Sequence, residues 1–220
     1  MEVLVATVIT MILLGSVMAV FASTRNVISG MKKDPFSDRI ENSVSEYIRR
    51  STEKANGYRI CGVNHTNLAT KAGTLFGQLT CGTGENNRCL IISNAEGNYR
   101  LYDLGVVTST GDIATKVANL SDYNVFGAPY YDGLSCKVTF TQSVNADSRV
   151  SYMNVTSQNY DSSGNPTDKA ASNYFKILNM PDVNNAKIDT TIDLSDFSTA
   201  YPDSDSCIVM VYRVKDYTVT

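Results

Sequence analysis

Tryptophan is absent from this chain, and histidine occurs once, at His65. That lone imidazole lies in an Asn-His-Thr turn, which speaks against a His-based triad and excludes multi-histidine metal sites. A haem-type Cys-x-x-Cys-His and a phosphate-binding glycine motif are both missing. There is no basic excess either: 19 Lys and Arg stand against 22 Asp and Glu. The electrostatic footprint of a nucleic-acid binder is therefore absent. Carboxylates abound, but no spacing singles out a catalytic pair. The expectation is a protein that is not an enzyme and carries no cofactor.

What is present divides at about residue 56. The 220 residues suffice for one globular domain plus an appendage. Beyond residue 56 the chain is rich in Asn, Ser, Thr and Gly, and it holds most of the 13 tyrosines. That is the vocabulary of a β-rich, loop-rich extracytoplasmic domain. Repeats and low-complexity tracts are absent.

The strongest signal opens the chain. Val3 to Thr24 is a run of 22 uncharged residues dense in Val, Ile, Leu, Met and Ala. As a helix it would be roughly 33 Å long, enough to cross a hydrocarbon core of about 30 Å. A cleavable signal peptide would need a basic n-region and a shorter apolar core, whereas the one charge before Arg25 is Glu2. Basic residues follow the run, at Arg25, Lys32 and Lys33. The positive-inside rule alone would leave the remainder in the cytoplasm. Five cysteines and three glycosylation-type sequons, at Asn64, Asn119 and Asn154, suit an oxidising exterior instead. A basic leader that once preceded Met1 and was removed reconciles the two.

Met-Glu-Val-Leu-Val-Ala, at Met1 to Ala6, runs into this unbroken apolar stretch and resembles the N-terminus of type IV pilins and of type II secretion pseudopilins. The resemblance covers about the first thirty residues. In that family a leader is cut before a short apolar stretch, and a glutamate stands at the fifth mature position. Glu2 is the matching residue, so the chain would begin a few residues late. The resemblance implies an inner-membrane subunit handled by a pilus assembly machinery and built into a helical homo-oligomeric filament outside the cell. The assembly surface would be Glu2, Val3, Leu4, Val8, Ile12, Gly15 and Phe21, with Glu2 paired to a neighbouring subunit's terminal amine. The plainer alternative for Glu2 is a helix-start acid facing the positive end of the macrodipole. Gly15 is either a weak helical point that unwinds or a site of close helix packing. A minor pilin, a pseudopilin or a filament-tip binding module anchored by one membrane helix is the alternative to a major subunit.

Phe36, Ile40, Val44 and Tyr47 recur at helical spacing with charges between them, which predicts an amphipathic continuation. Asp34–Pro35 is suited to a kink and Asn56–Gly57 to a stop. The expected fold is α+β: one long, kinked helix from about residue 2 to about residue 54, packed against a C-terminal antiparallel β-sheet domain, as in pilins. Its parts are an apolar helix at 1–24, an amphipathic continuation at 25–56 and a β-rich head at 57–220. Hairpins are predicted for 88–93 with 98–103, and for 137–142 with 149–155. The terminal strand, 207–215, alternates with Ile208, Met210, Tyr212 and Val214 on one face. Residues 113–120 and 168–178 are ambiguous and fit short helices.

Cys61 with Cys81 and Cys136 with Cys207 are the favoured disulfides, leaving Cys89 as a buried thiol; Cys81 with Cys89 is the alternative. Six aspartates fall between Asp182 and Asp205 without a glycine, which excludes an EF-hand loop. Asp203 and Asp205 remain candidates for an irregular calcium site, since some pseudopilins bind calcium in a C-terminal loop. A solvated loop is the simpler reading.

Overall fold

The computed structural model describes residues 35–144, 150–167, 170–177, 186–188 and 206–215. The chain divides into two units, Met1–Ser37 and Asp38–Thr220, and it is the second that is described here. Its helices are α1 (Pro35–Thr52, starting just ahead of the unit), α2 (Leu68–Gln78), α3 (Thr110–Ala118) and α4 (Ala128–Tyr131). Its strands are β1 (Ala55–Asn64), β2 (Glu85–Ser93), β3 (Arg100–Val107), β4 (Ser135–Val144), β5 (Val150–Tyr160), β6 (Ala171–Phe175), β7 (Ala186–Ile188) and β8 (Ser206–Lys215).

The strands form two sheets, a larger one ordered β3-β2-β8-β1-β7 and a smaller one ordered β4-β5-β6. All pairings are antiparallel except β1 with β7. Strand β8 takes the centre of the larger sheet because its run from Cys207 to Tyr212 is apolar on both faces, and all six residues are buried. Cys207, Val209 and Val211 share one core with Cys61, Cys89, Ile91 and Tyr102 of the sheet and with Leu68, Leu75 and Ile113 of α2 and α3. The alternate residues Ile208, Met210 and Tyr212, with Tyr58, Ile60, Leu90 and Ile92, are equally buried. Both faces of this sheet are therefore covered. Helices α2 and α3 approach closely at Gly73, where a Cβ would come within 3.3 Å of Thr110 Cγ2.

Helix α1 buries Ile40, Val44 and Ile48, three residues one turn apart. Each contributes about 1.5–3 kcal/mol. The ion pairs of Arg49 with Glu46 and Glu53, and of Arg50 with Glu46, lie on its outer face. Such pairs are worth only about 0.3–0.5 kcal/mol each, so packing holds the helix in place. Polar contacts fix its position between the sheets. Tyr47 donates to Asp103 Oδ2 of β3 at 2.6 Å. Ser45 Oγ meets Ser157 Oγ of β5 at 2.6 Å, and the backbone N–H of Asn159 donates to Glu41 Oε1 at 2.6 Å.

The α+β class agrees with the sequence expectation, but the architecture differs. No long helix is seen among the described residues: there are four short ones, and the longest, α1, has 18 residues. The expected helix runs through Pro35, the first residue of α1, whose ring disfavours helical backbone at the residue before it; residues 2–34 lie outside the described residues. The single sheet is likewise replaced by two. Asn56–Gly57 is not a helix stop but part of β1, at an irregularity in its pairing with β8. Both predicted hairpins are present, as β2–β3 and β4–β5. Residues 110–118 form α3, whereas Ala171–Phe175 is a strand rather than a helix. Strand β8 is buried on both faces, not one.

Candidate functional site

The proposed assembly residues Glu2, Val3, Leu4, Val8, Ile12, Gly15 and Phe21 lie outside the described residues, as do Asp203 and Asp205. Among the described residues no helix is long and apolar enough to cross a membrane. No cluster of three or more His, Cys, Asp and Glu among them is arranged to hold a metal ion.

None of the expected disulfides joins the described cysteines. Cys61, Cys89 and Cys207 lie in the core under α2 and α3. Cys136 is buried in the smaller sheet, on β4, and Cys81 is exposed after α2. Both favoured pairs would thus join a cysteine of that core to one outside it. Burial pushes the Cys89 and Cys136 thiols well above their ordinary range.

The sequons separate by exposure. Asn64 and Asn119 are exposed, at the ends of β1 and α3. Asn154 is half-buried in the middle strand of the smaller sheet, where its Nδ2 donates to Thr156 Oγ1 at 3.4 Å.

The fold also brings together groups that no spacing could reveal. Cys207 Sγ donates to Ser93 Oγ at 3.1 Å and lies 3.9 Å from His65 Nδ1. These are the ingredients of a thiol–imidazole pair, 142 residues apart in sequence. Cys207 is nevertheless fully buried, and thiols in such settings are packing groups rather than nucleophiles. A Ser-x-x-Lys spacing occurs at Ser51 and Lys54, but Lys54 is exposed in the turn after α1 and lines no pocket given by the described residues.

The smaller sheet carries the most developed surface. Its inner face is buried through Cys136, Val138, Phe140, Met153, Val155 and Phe175. The register places Thr141, Asn154 and Tyr174 in one row across the outer face, then Thr139, Thr156 and Ser172, then Lys137 and Gln158, then Ser135 and Tyr160. Tyr152 starts the face at the other end, diagonal to Tyr174, at a spacing of about 7–8 Å. Tyr174 is 72% exposed and Tyr152 50%. Thr156 Oγ1 and Ser172 Oγ lie 3.0 Å apart.

At the Lys137 end the face opens into a polar cleft of about 230 Å³ lined by Asn98, Tyr99, Ser135, Lys137, Tyr160 and Asp161, among others. The β2–β3 turn and the loop after β5 form its rim. Lys137 Nζ lies 4.3 Å from the Tyr160 ring centroid and 5.5 Å from that of Tyr99, a cation held over two aromatic faces. Burial lowers its pKa from the ordinary lysine value. Ser135 Oγ, at the start of β4, donates to Asn98 Oδ1 at 3.2 Å and so ties that strand to the β2–β3 turn. Asp161 Oδ1 accepts from the backbone N–H groups of Asn165 and Ser163, and these bonds hold its carboxyl below the usual range. The cleft therefore presents hydroxyls, amides and aromatic rings on a rigid frame. The sequence pattern does not group Tyr152, Tyr160 and Tyr174: the first falls in an expected strand, the second outside any expected element and the third in a stretch that fits a short helix.

No protein-family model, no curated protein and no solved structure matches this chain.

Proposed function

We propose that the chain is a structural, non-enzymatic subunit of an extracellular type IV pilus-like filament. It would be held in the inner membrane before assembly and built into the fibre by a pilus assembly machinery. The observation that carries this reading is the uncharged run Val3 to Thr24, with Glu2 at its start, standing ahead of a domain that buries its own core. An apolar run of that length needs lipid or other apolar chains around it. The unit from Asp38 onward packs its larger sheet under helices of its own, α2 and α3, and in this reading the run is not one of its core elements. The run is thus available for the membrane and for copies of itself.

Glu2 makes the reading testable. A carboxylate beside an apolar run is costly unless it is paired. If it meets a neighbour's terminal amine in a fibre core, removing it strands a charge and costs several kcal/mol. Expressed with an assembly machinery, Glu2→Ala should reach the membrane at wild-type abundance while fibres counted by electron microscopy become scarce. Wild-type fibre numbers from Glu2→Ala would overturn the proposed role of Glu2. An absence of fibres containing the wild-type chain would overturn the filament reading itself. The outer face of the smaller sheet favours the second reading, a minor subunit or tip module that binds something.

A further inference from the structure

The outer face of the smaller sheet is unusual for what it omits. Among the described residues no carboxylate stands on it, and its cations are Lys137 at one end, by register on β4, and the exposed Lys176 just past β6 at the other. Between them the described outward positions are Thr139, Thr141, Tyr152, Asn154, Thr156, Gln158, Ser172 and Tyr174. In a chain with 41 charged side chains, from 19 basic and 22 acidic residues, an uncharged field of this size is not the average solvated surface. Its composition of tyrosine, short hydroxyls and amides is that of recognition surfaces, which join rigid aromatic area to adaptable hydrogen bonding at low entropic cost.

We infer that this face, together with the cleft at its Lys137 end, binds an extended, uncharged glycan. Three features specify that occupant. First, the face is long and narrow: Tyr152 to Tyr160 along β5 spans roughly 27 Å at about 3.4 Å per residue, which suits a linear chain of several sugar rings rather than a single small molecule. Second, Tyr152 and Tyr174 are exposed diagonal neighbours, able to receive the C–H face of a sugar while Thr141, Thr156 and Ser172 beside them address its hydroxyl edge. Third, a charged partner would find no complementary charges along the middle of the face, whereas a neutral, hydroxyl-rich one loses nothing by their absence. The cleft supplies an end-stop. There Tyr160 and Ser135, with Asn98 across the rim, offer a ring, a hydroxyl and an amide at one place. The face would bind the same ligand whether the chain stands in a fibre or singly in a membrane.

Asn154 sharpens the assignment, because its sequon lies in the centre of this field. A glycan attached there would cover the surface, so the face requires Asn154 to stay unmodified.

The test uses the detergent-solubilised full chain with cellohexaose as probe, and heparin as the charged comparison, followed by calorimetry. Binding of cellohexaose that is insensitive to salt is expected. Tyr152→Ala and Tyr174→Ala should each weaken it roughly five- to tenfold, while Tyr174→Phe retains the ring and most of the affinity. Failure to bind cellohexaose, or binding of heparin alone that salt abolishes, overturns the inference. It is also overturned if the two alanine variants leave cellohexaose binding intact and instead change the sedimentation of the protein, which would make the face a contact between copies of the chain. None of these outcomes depends on fibre formation, so they are separable from the test of Glu2.

Discussion

In β8 every residue from Cys207 to Tyr212 is buried, whereas along β5 every second residue from Tyr152 to Tyr160 reaches the surface. The larger sheet is packed on both faces and its centre is a continuous apolar run. The smaller sheet is packed on one face only and keeps strict alternation. This difference assigns different duties to the two. A sheet covered on both sides has no surface left with which to meet anything, and its residues are chosen for volume. A sheet with one open face can change its outward residues without disturbing the core, which makes that face available for recognition. Helix α1 ties the two together, with Tyr47 reaching β3 of one and Ser45 reaching β5 of the other.

The largest expected effect lies in the covered sheet. Ile91 is fully buried on β2, within the core under α2 and α3. Ile91→Ala removes the side chain and leaves a cavity that close-packed neighbours cannot fill, at a cost of about 2–5 kcal/mol. Thermal unfolding of the full chain in detergent should show a large fall in midpoint. A change within the error of the measurement would mean that this core is loosely packed and that the contrast between the sheets is false.

A smaller effect is expected at the link between helix and sheet. Tyr47 has its pKa raised to about 12, first by burial and then by the hydrogen bond it donates to Asp103. A raised folded pKa contributes stability that is complete below the unfolded value, near 10, and is lost as pH rises from there through about 12. Tyr47 is only half-buried, so water screens the interaction, and about 1 kcal/mol is a reasonable size. Tyr47→Phe should therefore destabilise the protein by about that amount at neutral pH, and the gap to wild type should shrink as pH passes 10. The absence of a gap at any pH would assign the role of Tyr47 to ring packing against Phe126, 6.1 Å away, which phenylalanine keeps, rather than to its hydroxyl.

Much of this contrast could be read in the sequence, though not all. The stripe of Ile40 and Val44 gave α1, and Asn94 to Gly97 marked the β2–β3 turn, where Gly97 N–H donates to Asn94 O and Gly97 has φ +87°. Strand β8 was recognised, but its continuous apolar run should have signalled two-sided burial. Helix α2 was missed because Gly73, Gly77 and its threonines are weak helix formers, and packing on the core overrides that preference. Which strands share a sheet, and that Cys136 sits apart from Cys207, depends on long-range pairing that local pattern does not encode. The candidate site followed the same division. The apolar run and Glu2 are local features and were visible at once. The outer face of the smaller sheet combines residues from three strands between positions 135 and 174, and it exists only once their register is set.

The smallest effect is expected on the open face, and two consecutive residues of β6 isolate it. Tyr174 and Phe175 are adjacent in sequence, similar in size and opposite in direction: one is 72% exposed and the other 7%. Phe175 packs on the inner side, where β6 pairs with β5 through Met153. Phe175→Ala should cost about 3 kcal/mol, at the low end for a buried phenylalanine because β6 is short. Tyr174 stands across from Asn154, and a cross-strand pair of this kind is worth at most about 1 kcal/mol. Exposed substitutions mostly stay within about 0.5 kcal/mol of wild type, so Tyr174→Ala should barely move the unfolding midpoint. Both variants, measured side by side in the full chain, test the open face without any ligand. Equal losses would show that something covers Tyr174 in the folded protein, and the distinction between a two-sided and a one-sided sheet would fail at the residue where it is most pronounced.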